Sequence, residues 1–96
     1  MRLKVNVTKN AIRTGIRCDE TSCAIAKALQ VSLRKKKVAF TDVDVTCGPA
    51  GVAVSRMESN PLIGTLPLQA EVFVVDFDGG VPKSRLKPFS FSLDLR

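Results

Sequence analysis

Residues 2–7 alternate strictly. Leu3, Val5 and Val7 are apolar, and Arg2, Lys4 and Asn6 between them are polar. This period of two predicts a strand with one wet face. Thr8 stands where an N-cap belongs for a short helix over Lys9–Thr14, and Gly15 suits a left-handed C-terminal position after it. Residues 16–19 read as a connector. A longer helix is predicted over about residues 20–36, where Ile25, Ala28, Leu29, Ser32 and Leu33 recur at helical spacing and form one face. Asp19, Thr21 or Ser22 would cap it. The small residues Ala24, Ala26 and Ala28 would let it lie close to a sheet.

Alternation returns over residues 38–47, with Val43, Val45 and Cys47 opposing Asp42, Asp44 and Thr46. Gly48-Pro49-Ala50-Gly51 marks a turn, so Val52–Met57 pairs back as a hairpin. Glu58–Gly64, with its Asn60-Pro61 pair, reads as a loop. Residues 66–78 carry two competing signals. Val72, Phe73, Val74 and Val75 favour a strand by propensity. Ala70, Phe73, Val74 and Phe77, however, fall at i, i+3, i+4 and i+7. Pro67 suits a first helical position and Gly79-Gly80 a stop, so the segment is predicted helical. Pro88–Leu95 closes the chain as a strand with Phe89, Phe91, Leu93 and Leu95 inward and Ser90, Ser92 and Asp94 outward. The order β-α-α-β-β-α-β, with every strand apolar on one side, predicts an α+β two-layer sandwich. Its expected form is one four-stranded mixed sheet with helices on one face.

Length confines this to one domain spanning residues 1–96. A chain of this size buries roughly two-thirds of its unfolded surface. Apolar content of 45% and charged content of 25% are those of a folded domain, not a disordered one. No apolar run is long enough to span a membrane. The N-terminal segment alternates from its start and has no apolar signal core, which with three cysteines, an odd number, points to a reducing cytoplasm.

The charge is uneven. Residues 1–48 carry ten basic and four acidic side chains, and residues 49–96 carry five of each, so the net +6 lies wholly in the first half. Such asymmetry suggests a basic face and an anionic partner. The clearest element of it is Arg34-Lys35-Lys36-Lys37 at the end of the long predicted helix, with Arg13, Arg17 and Lys9 expected nearby. Four adjacent cations can neutralise phosphates or steer an acidic protein. The plainer alternative is that they complement the helix dipole and keep the chain soluble. All five aromatics are Phe, and four of them (Phe73, Phe77, Phe89, Phe91) sit on expected core faces. Only Phe40 is left to stack on a base, which weakens an RNA-reading interpretation.

Catalytic and metal constellations are sparse. The chain has no histidine, the commonest general base and metal ligand. Cys18 and Cys23 with a remote Cys47 lack the fourth ligand that zinc requires, and small buried hydrophobes are the simpler role for them. Asp42-Val-Asp44 would place two carboxylates roughly 7 Å apart on one strand face, but no third ligand lies close in sequence. Neither glycine-rich turn has phosphate-loop spacing. No catalytic, cofactor-binding or metal-binding residue is assigned.

Several short motifs together resemble a group of small uncharacterised phage and prophage proteins. They are Ile12 and Gly15, the run Cys23-Ala-Ile-Ala-Lys-Ala-Leu29, Leu66-Pro67, Phe77-Asp-Gly-Gly80, and Pro88-Phe-Ser-Phe91. That group has proline where this chain has Ala24. The resemblance implies a phage-type accessory protein that works by binding, for example by blocking a host enzyme or defence complex. The sequence therefore predicts a non-enzymatic protein that engages a host or defence protein with an acidic surface, through Arg13, Arg17, Arg34, Lys35, Lys36 and Lys37. A small nucleic-acid or nucleotide binder is the first alternative. A structural protein working as a homo-oligomer, such as a homodimer, is the second.

Overall fold

The computed structural model describes residues 1–46 and 48–96. Its elements run β1 (Arg2–Val7), α1 (Lys9–Thr14), α2 (Ala24–Lys35), β2 (Asp42–Val45), β3 (Val52–Ser55), β4 (Leu62–Gly64), α3 (Leu68–Asp78), a 3₁₀ turn (Lys83–Arg85) and β5 (Phe89–Asp94). The fold is α+β, and every strand pair is antiparallel.

The expected single four-stranded mixed sheet is replaced by two sheets, one of two strands in the order β1-β5 and one of three in the order β2-β3-β4. The unforeseen strand is β4, in the segment expected to be a loop. Three residues are too few to display an alternation, and Pro61 just before the strand and Gly64 at its end carry turn signals. The chain ends of the two sheets touch. The Ile63 and Arg96 backbones exchange two N–H···O=C bonds, both 2.9 Å, so β4 abuts the tail that follows β5.

Side-chain alternation sets the core. Leu3, Val5 and Val7 are buried on β1, opposite Leu93, Phe91 and Phe89 of β5. Phe91 and Leu93 are buried with them, while Phe89 is half-buried. Arg2, Lys4, Asn6, Ser90, Ser92 and Asp94 remain on the open face as expected. The hairpin also forms as expected, with Val45 opposite Val52 and Val43 opposite Val54, all four buried. Cys47, assigned to the inward side of that strand, lies outside the described residues.

The helix ends show where sequence reasoning succeeds and where it misplaces a role. Thr8 caps α1, its Oγ1 accepting from the Ala11 N–H at 3.1 Å. Gly15 does follow α1, but in an extended conformation (φ −65°, ψ 147°), not a left-handed one. Its small size answers a different need. A Cβ there would lie 2.7 Å from the Ala24 nitrogen and 2.8 Å from the Ala11 oxygen, so glycine permits the start of α2 to press against the end of α1. α2 begins later than expected and is capped by none of the three residues proposed. Cys23 is its N-cap, Sγ accepting from the Ala26 N–H at 3.4 Å. Asp19 instead closes the preceding turn, its Oδ1 accepting from the Thr21 and Ser22 N–H groups and the Thr21 hydroxyl, each at 3.0 Å.

Those bonds favour the ionised Asp19 carboxylate and hold its pKa below the usual Asp range. The turn's contribution to stability is therefore complete above the unfolded Asp range and fades as pH falls through the lowered value. Asp19→Asn is expected to flatten that part of the acid-unfolding profile, which urea titrations at stepped pH would detect.

α3 forms where helical spacing outweighed strand propensity. Ala70, Phe73, Val74 and Phe77 are its buried face, and Pro67 is its N-cap instead of its first helical residue. Phe73 stacks on Phe77 at 5.8 Å and tilts against Phe89 at 5.0 Å, so aromatic rings join α3 to β5. Both long helices end in the same motif. At α3 the Val81 N–H reaches back to the Asp76 carbonyl, with Gly80 left-handed at φ 91°. At α2 the Val38 N–H reaches Leu33, and the left-handed residue is Lys37 at φ 58°. A left-handed side-chain-bearing residue costs roughly 1–2 kcal/mol that glycine avoids. Lys37→Gly is therefore expected to stabilise the fold by about 1 kcal/mol, read as a rise in the urea midpoint at unchanged slope.

A candidate partner-binding groove

The six cations singled out from the sequence separate into four places. Arg34 and Lys35, in the last turn of α2, line a cavity of about 430 Å³ between α1, α2 and the end of β1. Lys36 and Lys37 are exposed just beyond the helix and do not line it. Arg13 lies on the other side of α1, lining a second cavity of about 340 Å³ with Lys9, Ile12 and Lys83. Its guanidinium is tied to Asn10 Oδ1 at 2.6 Å.

Arg17, expected beside the basic cluster, lines neither cavity. Its guanidinium donates to the carbonyls of Phe77 and Val81, the latter at 2.6 Å, and lies 5.1 Å from the centre of the Phe77 ring. The cation thus meets carbonyls at the negative end of α3. Lys83 plays the matching part at α1, donating to the carbonyls of Arg13 (3.0 Å) and Gly15 (2.8 Å). These are architectural cations, and nothing in a one-dimensional charge count separates them from free ones.

The groove's composition follows from the helical repeat. Lys27, Val31, Arg34 and Lys35 fall at i, i+4, i+7 and i+8, a stripe beside the core-facing residues of α2. Asn6 and Thr8 supply polar groups from the end of β1, Asn10 and Thr14 from α1, and Gln30 from α2. Val31 is 48% exposed, and the Ala28 side chain forms part of the wall. Ser32 fixes α2 against the strand by donating to the Lys4 carbonyl at 3.0 Å. The site therefore combines two kinds of contact, cationic donors with amides and a small apolar floor. Sequence reasoning missed Lys27, Val31, Asn6 and Asn10, although the spacing from Lys27 to Lys35 was legible.

Phe40, the one aromatic free to stack on a base by sequence, is half-buried, and the Arg34 guanidinium lies 5.6 Å over its ring. None of the described residues lining the groove is aromatic.

The cysteines have distinct surroundings. Cys18 is exposed and left-handed at φ 57°, and its N–H donates to Asp78 Oδ1 at 2.8 Å. Cys23 is buried, and that burial pushes its thiol pKa up, with the nearby Asp78 and Asp19 charges adding to the shift against the Ala26 and Ile25 N–H groups. Both thiols are free. A thiol reagent at neutral pH is expected to modify Cys18 in the native protein and to reach Cys23 only on unfolding. Equal rates at the two positions would contradict the packing around α2's cap.

Among the described residues no group of three or more His, Cys, Asp or Glu side chains is placed to hold a metal ion. Nor, among the described residues, is any helix long and apolar enough to cross a membrane. Comparison with protein-family models, with curated proteins and with solved structures finds no match to this chain.

Proposed function

We propose that the protein acts by binding instead of catalysis, and that the groove between α1 and α2 takes an acidic segment of a protein partner. The observation that carries this reading is the groove's make-up. Lys27, Arg34 and Lys35 converge with amide and hydroxyl groups around the exposed Val31. A carboxylate-rich segment with one small apolar side chain satisfies both features. Arg34 offers a fork for a carboxylate, and Lys27 and Lys35 supply point charges. The chain's excess of basic over acidic residues in its first half would speed encounter with such a partner.

A phosphate backbone would be drawn by the same cations, but stacking surfaces usually accompany nucleic-acid grooves, and here Phe40 is already engaged by Arg34. Catalysis is disfavoured by the residue inventory, which holds no histidine. The resemblance to small phage proteins adds a setting to this proposal: an accessory protein in a host cytoplasm whose partner is a host or defence protein.

Amide chemical-shift mapping tests the site. Titration with a Glu/Asp-rich peptide is expected to move resonances of Asn6–Thr14 and Lys27–Lys35 and to spare β2, β3 and β4. A single-stranded oligonucleotide at about 0.15 M salt is expected to bind far more weakly. Tight oligonucleotide binding through these same residues at that salt would replace the protein-partner reading with the nucleic-acid one.

A further inference from the structure

We infer that the outer face of α3 is the two-fold interface of a homodimer. α3 is apolar on both sides. Its inner face is filled by Ala70, Phe73, Val74 and Phe77, while Leu68, Val72 and Val75 stand outward at 76%, 52% and 63% exposure. An apolar ridge left outward on a helix whose other face is already buried is expected to be covered. The outward three fall at i, i+4 and i+7, the spacing of a coiled-coil seam, and so form one continuous ridge.

Charge identifies the occupant as a second copy. The charged side chains of α3 are all acidic: Glu71, Asp76 and Asp78. Beside the ridge, Arg85 and Lys87 line the same shallow cavity as Val72 and Asp76. The face thus carries an apolar ridge with acidic and basic side chains beside it, and a second copy related by a two-fold axis near Val72 would present the same ridge with both signs of charge in return. A two-fold interface must be self-complementary in this way. The rest of the molecule disfavours self-contact, because the net +6 lies in residues 1–48, while residues 49–96 are balanced. The basic groove belongs to α1 and α2, so this inference neither needs nor supports the groove's proposed partner.

Sedimentation equilibrium of the full chain over a range of concentrations is the test. The expected result is a species of twice the 10.4 kDa chain mass. Val72→Asp and Leu68→Lys should each weaken dimerisation by at least about 30-fold, as loss of a central anchor does. Both side chains are exposed in a single copy, and an unchanged far-ultraviolet circular dichroism spectrum confirms that each variant folds. Asp76→Arg should weaken the dimer, and adding Arg85→Asp should restore it. A 10.4 kDa mass at every concentration overturns the inference. So does a dimer that both ridge substitutions leave intact, or a charge exchange that fails to restore association.

Discussion

Truncating Phe77 to alanine is expected to lower the unfolding free energy by about 3–5 kcal/mol, the range for loss of a fully packed aromatic side chain. Phe77 is 1% exposed, the largest fully buried side chain among the described residues. Its ring stacks on Phe73 and carries two cations, the Arg17 guanidinium at 5.1 Å and the Lys83 ammonium at 5.6 Å from its centre. The substitution therefore opens a cavity and also removes the surface that orients both cations toward helix-terminal carbonyls. Phe91→Ala, on β5 at 8% exposure, belongs to the same range. Phe89→Ala should cost less, because Phe89 is only half-buried. Urea unfolding of the three variants would rank them. A loss below about 1 kcal/mol at Phe77 would mean that α3 is not docked as described.

Gly15→Ala is expected to cost about 1–3 kcal/mol, the range for forcing a methyl group into a packed junction. The added Cβ would meet backbone atoms of Ala11 and Ala24, which cannot rotate aside as a side chain can. The strain falls where α1 meets α2, so the groove they enclose should loosen along with the fold. Gly15→Ala should thus weaken binding at Lys27, Arg34 and Lys35 even though Gly15 does not line the groove. Near-neutral stability would show that the junction has slack.

What the sequence disclosed, and what it withheld, follows the range of the forces involved. Local signals sufficed for these elements: alternation for β1, β2 and β5, the turn residues at 48–51 for the β2–β3 hairpin, and the Thr8 cap and Gly15 stop for α1. α3 was legible because helical spacing and the Pro67 and Gly79-Gly80 boundaries agreed against propensity. β4 was hidden because its pairing is with β3 and with Arg96, far along the chain, and its own three residues hold no pattern.

The same division applies to the site. The cluster at residues 34–37 was plain as charge, but only the fold separates Arg34 and Lys35, which line the groove, from Lys36 and Lys37, which do not. Arg17 shows the limit most clearly. It looked like a free cation in a basic half, yet its partners are carbonyls at positions 77 and 81. Cys23 carries a similar lesson, since a thiol took the cap position that the neighbouring Asp, Thr and Ser were expected to fill.

Charge reversal in the α1–α2 groove decides whether that groove recognises an acidic protein segment. Association of the Arg34→Glu/Lys35→Glu variant with an immobilised Glu/Asp-rich peptide would be compared with that of the unaltered chain, across a salt series. A Lys36→Glu/Lys37→Glu variant of equal net charge serves as the reference. Association of the groove variant is expected to slow by at least about tenfold and to lose most of its salt dependence, and the reference variant to change far less. Equal effects from the two variants would show a diffuse field with no groove, and unchanged binding by the groove variant would show that the acidic segment binds elsewhere.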